Sequence, residues 1–212
     1  MLASLSRSFR RRRMQRFARE FGITPATRIL DIGGTPDCWT LLSERPHLTL
    51  LNTPRAREDL SGAASWVAGD GRSLPFRDAS FDIVFSNSVI EHVGDAASQE
   101  RFAREVARVG RGYWVQTPNR WFPVEQHLLT PFIHWMPRPW QRRIVPRCNL
   151  WSLLVPVTPD RRRFYIEHYL SDVRLLSIEQ VRSLFPGANV IRERFWGVTK
   201  SLVAMKRSEP RR

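Results

Sequence analysis

Short apolar runs alternate with polar or amphipathic stretches through the first half of the chain. The runs with strand character cover residues 28–32, 47–52, 65–68, 81–86 and 112–116. The clearest helical pattern lies between the last two runs, where Phe102, Val106 and Val109 recur at spacings of four and three residues. Asp95 precedes this pattern as a candidate N-cap, and Gly110 follows it as a stop signal. The alternation predicts a parallel sheet covered by helices.

The C-terminal part of the chain predicts one more helix and a hairpin. Ser177 is a candidate N-cap, and Pro186 and Gly187 end the helical pattern. Two strand-like runs follow at 190–195 and 200–205, with only a short connection between them. Strands joined in this way pair antiparallel, so we expect a hairpin at the edge of the sheet.

The pattern is lost between residues 118 and 176. This stretch is rich in Pro, Trp and Arg and has no clean period, so we expect an insertion or lid over one face of the sheet. Its Trp and Leu content argues against disorder. Pro137, Pro139 and Pro146 argue against one long amphipathic helix here.

The composition is typical of one globular domain, which we expect to cover residues 1–212, with 42% hydrophobic and 25% charged residues. The formal net charge of +14 would ordinarily favour nucleic acid, anionic lipid or acidic partners. That inference is weakened because only Lys200 and Lys206 of the 34 basic residues are lysines, a skew that G/C-rich coding produces by itself. Cys38 and Cys148 are too few and too far apart for a disulfide framework or a zinc site. We therefore expect a reducing, cytoplasmic setting.

Residues 1–24 form a strongly basic segment with no acidic residue before Glu20. Three interpretations stay open: an exposed basic helix packed through Met14, Phe17 and Phe21, an electrostatic arm for anionic membrane or RNA, and an organelle transit peptide. The segment lacks the apolar core of a secretory signal. No stretch of the chain approaches the roughly 18 uninterrupted apolar residues of a membrane-spanning helix.

Small or polar residues follow each predicted parallel strand. In an open parallel sheet, ligands bind at the carboxyl ends of the strands, so these residues are candidates for a common site. They are Asp31 with Gly33 and Gly34, Asn52, Asp70 with Gly71, Ser86 with Asn87, and residues 117–119. The glycine pair lets a ligand approach the backbone, and we expect the next helix to present its N-terminal N–H groups and positive dipole end to that ligand. Asn52 lies close to the ~20-residue offset at which a side chain meets the ribose of a bound nucleotide, and Asp70 could accept a hydrogen bond from an adenine amino group.

The order of these segments resembles that of the S-adenosylmethionine-dependent methyltransferases with a Rossmann-like fold. The resemblance rests on LDIGG, a polar residue closing the second strand, and GDGRSLPFRDASFDIVFSNSVIEHV, and it covers residues 25–119. It is closest to the small-molecule branch, type 11. It implies a doubly wound α/β fold whose seven-stranded, mostly parallel sheet ends in an antiparallel hairpin, with the lid inserted after strand five.

The resemblance also implies roles for individual residues. It places Asp31, Gly33 and Gly34 against the methionine part of the cofactor S-adenosyl-L-methionine and Asn52 at its ribose. It places Asp70, Gly71 and Arg72 near the adenine. It places Ser86 and Asn87 beside the sulfonium.

The chain departs from the family pattern at three positions. Thr35 and Asp37 stand where the family usually has glycine, and Asn52 stands where it usually has Asp or Glu. An amide lacks the charge and the second strong acceptor of a carboxylate. The departures are compatible with weaker cofactor binding in an active enzyme or with a non-catalytic member of the family.

Methyl transfer from a sulfonium is an in-line displacement, so a general base is optional. If one is used, His92 after strand four and His127 after strand five are the best placed, with Glu91 and Glu125 as helpers. For His92 a buried or capping role is an equal alternative. We expect His134 to be a packing residue, and we predict no metal site.

The predicted lid mixes aromatic residues with arginines. That mixture suits a lipid-headgroup interface, a pocket for an acidic or phosphorylated acceptor or, with less support, nucleic acid. Core filling by the aromatic residues is the plain alternative. We expect methyl transfer to a small molecule, glycan or lipid-linked intermediate in a cytoplasmic protein, with peripheral contact to an anionic membrane as an option. The alternative function is a basic, non-catalytic protein of the same fold that binds anionic membrane or RNA and keeps a vestigial cofactor site. Acceptor atom and oligomeric state stay open.

Overall fold

A seven-stranded sheet forms the centre of the computed structural model, which describes residues 2–54, 65–148, 150–154 and 158–208. The strand order is β3-β2-β1-β4-β5-β9-β8. The strands of this sheet are β1 (Arg28–Ile32), β2 (His47–Asn52), β3 (Trp66–Ala68), β4 (Phe81–Asn87), β5 (Gly110–Pro118), β8 (Asn189–Phe195) and β9 (Val198–Lys206). Every predicted strand is confirmed, and β5 extends beyond the predicted 112–116 at both ends.

The sheet is parallel from β3 to β5 and antiparallel from β5 to β8. The predicted hairpin is confirmed, because β8 pairs with β9 and only Trp196 and Gly197 connect them. Both residues have positive φ, +47° and +80°, as the tight turns of hairpins require. The fold is therefore doubly wound and Rossmann-like, with a reversed final strand.

The remaining regular elements flank the sheet or follow β5. In the described residues they are α1 (Leu2–Phe21), α2 (Pro36–Trp39), α3 (Ala96–Val109), α4 (Arg138–Ile144), α5 (Leu150–Leu154), α6 (Pro159–Asp172), α7 (Ile178–Leu184), the 3-10 helices Ile90–His92 and Ile133–Trp135, and the small two-stranded sheet of β6 (Val124–Glu125) and β7 (Thr130–Pro131).

The two predicted helices α3 and α7 cover one face of the main sheet and carry the predicted caps. Asp95 accepts a hydrogen bond from the backbone N–H of Ser98, and Ser177 forms a capping box with Gln180. Phe102 of α3 is fully buried in the cluster beneath these helices. Local sequence signals were sufficient here because each cap and apolar face lies within one helix.

The basic N-terminal segment is a helix that packs on the opposite face of the sheet. Met14 and Phe17 are buried there, and the ring of Phe17 lies 4.9 Å from that of Phe85 and 5.8 Å from that of Trp114. The neighbouring arginines 10–12 are exposed. This arrangement corresponds to the first of the three interpretations, an exposed basic helix anchored by its apolar residues.

The helix after the glycine turn is shorter than expected. It comprises only Pro36–Trp39, a single turn, so the prediction of a helix dipole directed at the ligand is wrong. Trp39 packs into the core and Pro36 begins the turn. The loop that follows reaches β2 without further helix.

The segment 118–176 is named the lid, and its described residues form three α-helices, a short 3-10 helix (Ile133–Trp135) and a small sheet where the sequence predicted irregular structure. These elements enclose a separate apolar cluster formed by Leu128, Ile133, Val145, Ile166, Tyr169 and Val173. The cluster joins residues that are distant in sequence, which explains why no short window showed a period. No single long helix forms, as the prolines indicated.

The aromatic residues of the lid do not all fill its core. Trp121 is 58% exposed and Trp140 is 64% exposed, and Phe132 and Trp135 are also exposed. Phe122 is buried. Core filling is therefore wrong for most of these side chains, because the cluster of the lid is built mainly from aliphatic residues. Among the helices of the described ranges, none is long and apolar enough to span a bilayer.

Candidate active site

One cleft of about 470 Å³ lies at the carboxyl ends of β1, β2 and β3. Its walls include five of the predicted cofactor residues, which are Gly33, Asn52, Asp70, Gly71 and Arg72. Because these strands are parallel, the loops that follow them lie at the same edge of the sheet. Residues far apart in sequence therefore meet here. The volume is within the range of ordinary cofactor sites.

The glycine turn after β1 has no room for a side chain at either glycine. Gly33 has φ of +75°, and a Cβ there would lie 2.5 Å from Cγ2 of Val89, whereas a Cβ at Gly34 would overlap the carboxylate of Asp31. The backbone of Gly33 is nevertheless exposed in the wall of the cleft. This is the kind of turn that admits the amino-acid end of S-adenosylmethionine.

Asp31 is buried behind this turn. Its Oδ2 accepts a hydrogen bond from Trp39 Nε1 at 2.8 Å, and its Oδ1 is buried with no hydrogen-bond partner among the described residues. Burial raises the pKa of Asp31 to about 7, and the Trp39 hydrogen bond partly opposes that rise. An unpaired acceptor beside a glycine turn fits the donor-rich end of the cofactor. Asp31 and Gly34 stand behind Gly33 rather than among the residues of the cleft wall.

Asn52 ties β2 to the glycine turn. Its Nδ2 donates to the carbonyl oxygen of Gly34 at 3.0 Å. The amide oxygen is the remaining acceptor of this side chain, and it is the group that could receive a ribose hydroxyl. The amide thus donates a structural hydrogen bond that a carboxylate, which has no N–H group, could not donate.

Asp70 and Arg72 form a two-point ion pair at the end of β3. Arg72 Nε donates to Oδ1 and Oδ2 of Asp70 at 3.0 Å, and Arg72 Nη1 donates to the carbonyl of Val93 at 3.2 Å. The Arg72 hydrogen bonds hold the pKa of Asp70 below its usual value. The carboxylate expected near the adenine is therefore already paired, which leaves Gly71 and the guanidinium as further groups on this wall.

Ser86 and Asn87 are engaged by other protein groups. Ser86 is fully buried and donates to the carbonyl of Ile32 at 3.4 Å. Asn87 Oδ1 accepts a hydrogen bond from Arg13 of α1. Arg13 also donates to Glu193 and Gln116.

Sequence reasoning missed Arg13 because nothing in a run of arginines singles out the one that turns inward. It also missed His168 and Asp172 of α6, which line the cleft and pair with each other at 2.8 Å. Through these two residues the lid forms part of the wall of this cleft. This position agrees with the prediction that the segment is a lid.

The two candidate catalytic histidines meet at the edge of the cleft. His92 lines the cleft, and its Nε2 lies 3.1 Å from Nε2 of His127. Glu125 Oε1 accepts a hydrogen bond from His127 Nδ1 at 2.6 Å, and Glu91 Oε2 accepts one from Thr117 at 2.9 Å. The helper carboxylates suggested by the sequence thus lie beside the histidines.

Burial and mutual charge shift these groups away from their ordinary behaviour. Burial raises the pKa of Glu91 to about 7. Burial, followed by the charge of His127, lowers the pKa of His92 to about 4. Burial also disfavours the charged form of His127, but the hydrogen bond and charge of Glu125 outweigh it, so its pKa is raised.

His134 lies outside this group of residues. Its Nε2 hydrogen-bonds the carbonyl of Arg120 at 2.9 Å in the lid. The contact is to the backbone, as expected for a residue that holds a loop in place.

Known proteins resemble this chain in sequence and in fold. Residues 46–112 match a family described as "Methyltransferase domain". An uncharacterized methyltransferase of a Mycobacterium species (strain KMS) is 37% identical over 95 residues, which are 42% of this chain and 36% of that protein. A probable S-adenosylmethionine-dependent methyltransferase of Mycobacterium tuberculosis (strain H37Rv) is 54% identical over 50 residues, which are 22% of this chain and 17% of that protein.

A solved structure shares the whole fold. The complex of the Haloferax volcanii Trm112 methyltransferase activator with a putative methyltransferase contains a chain that superposes with a TM-score of 0.57 over 94% of this chain and 89% of that one, at 15% identity. That likeness concerns the fold. The chain spans about a third or less of the length of the two curated relatives.

The fold is Rossmann-like, as in the solved methyltransferase chain. Within this fold, residues 46–112 are similar to the methyltransferase domain family, and the curated relatives that match in sequence are named as methyltransferases. The comparisons give no support to the alternative of a non-catalytic binding protein.

Proposed function

We propose that this protein transfers the methyl group of S-adenosylmethionine to a small-molecule, glycan or lipid-linked acceptor admitted between the sheet edge and the lid. The observation that carries the proposal is the convergence of Gly33, Asn52 and Asp70 on one cleft in a methyltransferase domain. Bound S-adenosylmethionine supplies an activated methyl group, so the protein has mainly to bind, align and exclude water.

The residues of this chain divide that work. The turn at Gly33 receives the amino-acid end of the cofactor, Asn52 the ribose, and Gly71 with Arg72 the adenine. His168 of the lid narrows the cleft from the other side, which limits access of water. His92 is the titratable group of the cleft wall best placed to meet the acceptor, and His127 with Glu125 orients it.

Calorimetry with S-adenosylmethionine tests cofactor binding. For the wild type we expect a dissociation constant between submicromolar and tens of micromolar values. The weaker end of this range allows for Asn52, which stands where the family usually has a carboxylate. Asn52→Ala should bind at least about 10-fold more weakly, since it loses an acceptor and a contact to the glycine turn. Asn189→Ala, at an exposed position of β8, is the matched control. Absence of binding to the folded wild-type protein would refute the proposal.

Incubation with labelled cofactor and fractionated host extract tests the acceptor class. Label in the small-molecule or lipid fraction supports the proposal. Label confined to protein or nucleic acid contradicts the acceptor class while leaving methyl transfer intact.

The lid surface favours contact with an anionic lipid surface, from which a lipid-linked acceptor could be taken. Trp121, Phe132 and Trp140 are exposed among arginines, and Arg120 lies over the ring of Trp121 at 5.6 Å. Aromatic rings with cationic neighbours suit the headgroup region of an anionic bilayer. The arginines provide the complementary charge.

Vesicle sedimentation tests this contact. We expect binding to phosphatidylglycerol vesicles that weakens with salt and weakens further in a Trp121→Ala, Trp140→Ala double variant, and little binding to purely phosphatidylcholine vesicles. Equal binding of wild type and double variant, or preference for RNA over both vesicles, would contradict it.

A further inference from the structure

We propose that Glu91, His92 and His127 form a binding site for a divalent transition-metal ion of the Zn²⁺ class beside the cofactor cleft. Each residue offers one ligand atom, and these atoms all lie within 4.8 Å of one another. The site itself is independent of methyl transfer, and only its role in the reaction rests on the proposed function.

The two imidazoles already face each other as ligands of one ion would. Their Nε2 atoms are 3.1 Å apart, and the rings are nearly perpendicular at 87°. Two ligands at ordinary zinc distances in a tetrahedral site lie about 3.4 Å apart. A small outward movement of the rings would therefore place both nitrogens around a common ion.

Buried polar atoms around the pair lack hydrogen-bond partners among the described residues. Glu91 is fully buried, and its Oε1 makes no hydrogen bond to any described residue, whereas Oε2 is held by Thr117. An unpaired carboxylate oxygen in a buried position is costly unless it has a cation or donor. A metal ion would satisfy this oxygen and replace the hydrogen bond between the two facing nitrogens.

For His127 the arrangement includes the outer support that a metal-binding histidine needs. Glu125 is fully buried, and its Oε1 is bonded to His127 Nδ1, which places the proton on Nδ1 and directs an unprotonated Nε2 to the proposed site. Glu125 Oε2 is itself fixed by the backbone N–H of Leu128 at 2.6 Å. His92 stacks on His168 with the ring centroids 5.4 Å apart, and its buried Nδ1 makes no hydrogen bond to any described residue.

Imidazole nitrogens are borderline donors, and two of them with one carboxylate suit Zn²⁺, Co²⁺ or Fe²⁺ better than Mg²⁺ or Ca²⁺. Such three-ligand sites leave a position open for water or substrate. The side chain of His127 is 25% exposed, so the site has access to solvent.

The role of this site is to bind an oxygen atom of the acceptor. A hydroxyl bound to the ion loses its proton to solvent more readily, and its oxygen then displaces the sulfide from the methyl group, yielding a methyl ether and S-adenosylhomocysteine. His92 and His127 then act as ligands rather than as bases. The sequence analysis predicted no metal site because adjacent Glu91 and His92 with a distant His127 match no common ligand spacing.

Metal titration of the tag-free, chelator-treated full chain tests the proposal. We expect one Zn²⁺ per chain by calorimetry and a visible spectrum typical of four- or five-coordinate Co²⁺. Glu91→Gln and His127→Asn should abolish the Co²⁺ spectrum, and Glu125→Gln should weaken Zn²⁺ binding by about 10–100-fold. His47→Asn, which removes an exposed histidine of β2, should leave both signals unchanged.

Circular dichroism of each metal-free variant shows whether it is folded, so loss of binding is scored only in folded variants. Equal Zn²⁺ binding by wild type and both ligand variants, or none by the folded wild type, would overturn the metal site. Parallel titration of the chelator-treated protein with S-adenosylmethionine separates the two proposals. Cofactor binding without metal binding refutes only the metal site, and metal binding without cofactor binding refutes only the proposed function.

Discussion

At the scale of single residues, Asp31 and Gly34 show how closely the glycine turn is packed against a buried acid. Asp31 is 1% exposed and is held by Trp39, and the Cα of Gly34 lies against the same carboxylate. A side chain at position 34 and a charge at position 31 would both disturb the glycine turn, which contributes Gly33 to the wall of the cleft.

Gly34→Ala should lower the free energy of unfolding by about 1–3 kcal/mol, because the added methyl group overlaps Asp31. In an Asp31→Ala background, where the overlapping atoms are absent, the same substitution should cost less than about 1 kcal/mol. Urea denaturation of the four proteins of this double-mutant cycle measures the coupling. Purely additive effects would show that the overlap is not the cause.

The buried carboxyl of Asp31 should also make stability depend on pH. Its pKa is raised from 3.8 to about 7 in the folded protein, so between about pH 4 and pH 7 the folded state holds a proton that the unfolded state has lost. The stability from this group is full below about pH 4 and declines as the pH rises to about 7, by at most about 1.4 kcal/mol per pH unit.

Asp31→Asn removes this proton and keeps an acceptor for Trp39. We expect urea denaturation between pH 4 and pH 7 to show a smaller loss of stability in the variant than in the wild type, whereas Asp160→Asn at an exposed position should match the wild type. Glu91 contributes equally to the pH dependence of stability in all three proteins. The difference between their pH curves therefore reports on Asp31 alone. Parallel curves for wild type and Asp31→Asn would refute the assignment.

At the scale of elements, α1 is more than a charged surface. Phe17 is fully buried against Phe85, Trp39 and Trp114, and Arg13 of the same helix reaches the carboxyl ends of β4 and β5. The helix thus closes one face of the sheet and supplies a hydrogen-bond donor to the edge where the site lies.

Phe17→Ala should destabilise the protein by about 3–5 kcal/mol, because a large buried ring is removed from a cluster that cannot collapse fully. Arg12→Ala, on the exposed side of the same helix, should change stability by less than about 0.5 kcal/mol. Guanidinium denaturation compares the two. A small effect of Phe17→Ala would mean that α1 does not contribute to the cooperative fold.

At the scale of the whole molecule, the lid and the sheet share one cleft. His168 and Asp172 of α6 line it together with Gly33, Asn52 and Asp70 from the sheet edge. Ligand binding in this cleft should therefore stabilise elements that belong to different apolar clusters.

Binding of S-adenosylmethionine at about 100 times its dissociation constant should raise the free energy of unfolding by about 2.7 kcal/mol. Hydrogen exchange should slow in Pro159–Asp172 as well as at the ends of β1 and β2, while the β8–β9 turn, which contributes no residue to the lining of the cleft, serves as the internal control. Protection confined to the sheet edge would show that α6 takes no part in the cofactor site.

The contrast between sequence and structure follows the range of the interactions involved. Strand patterns, the caps at Asp95 and Ser177, and the order of polar strand ends are local features, and they determined the sheet, its hairpin and the residues that meet in the cleft. The short α2 and the helices of the lid could not be predicted in this way, because Trp39 and the lid cluster are stabilised by partners distant in sequence.

The sequence by itself determined the class of the fold and the edge of the sheet at which the polar strand ends meet, because parallel strands with polar ends allow few other arrangements. Only the tertiary structure decided which side chains share an environment: Arg13 at the sheet edge, Arg72 paired with Asp70, and His127 facing His92 with Glu91 beside them. Such contacts depend on how loops and helices pack after the strands are in place. Their energy comes from burial and from hydrogen bonds across the chain, which no local pattern records.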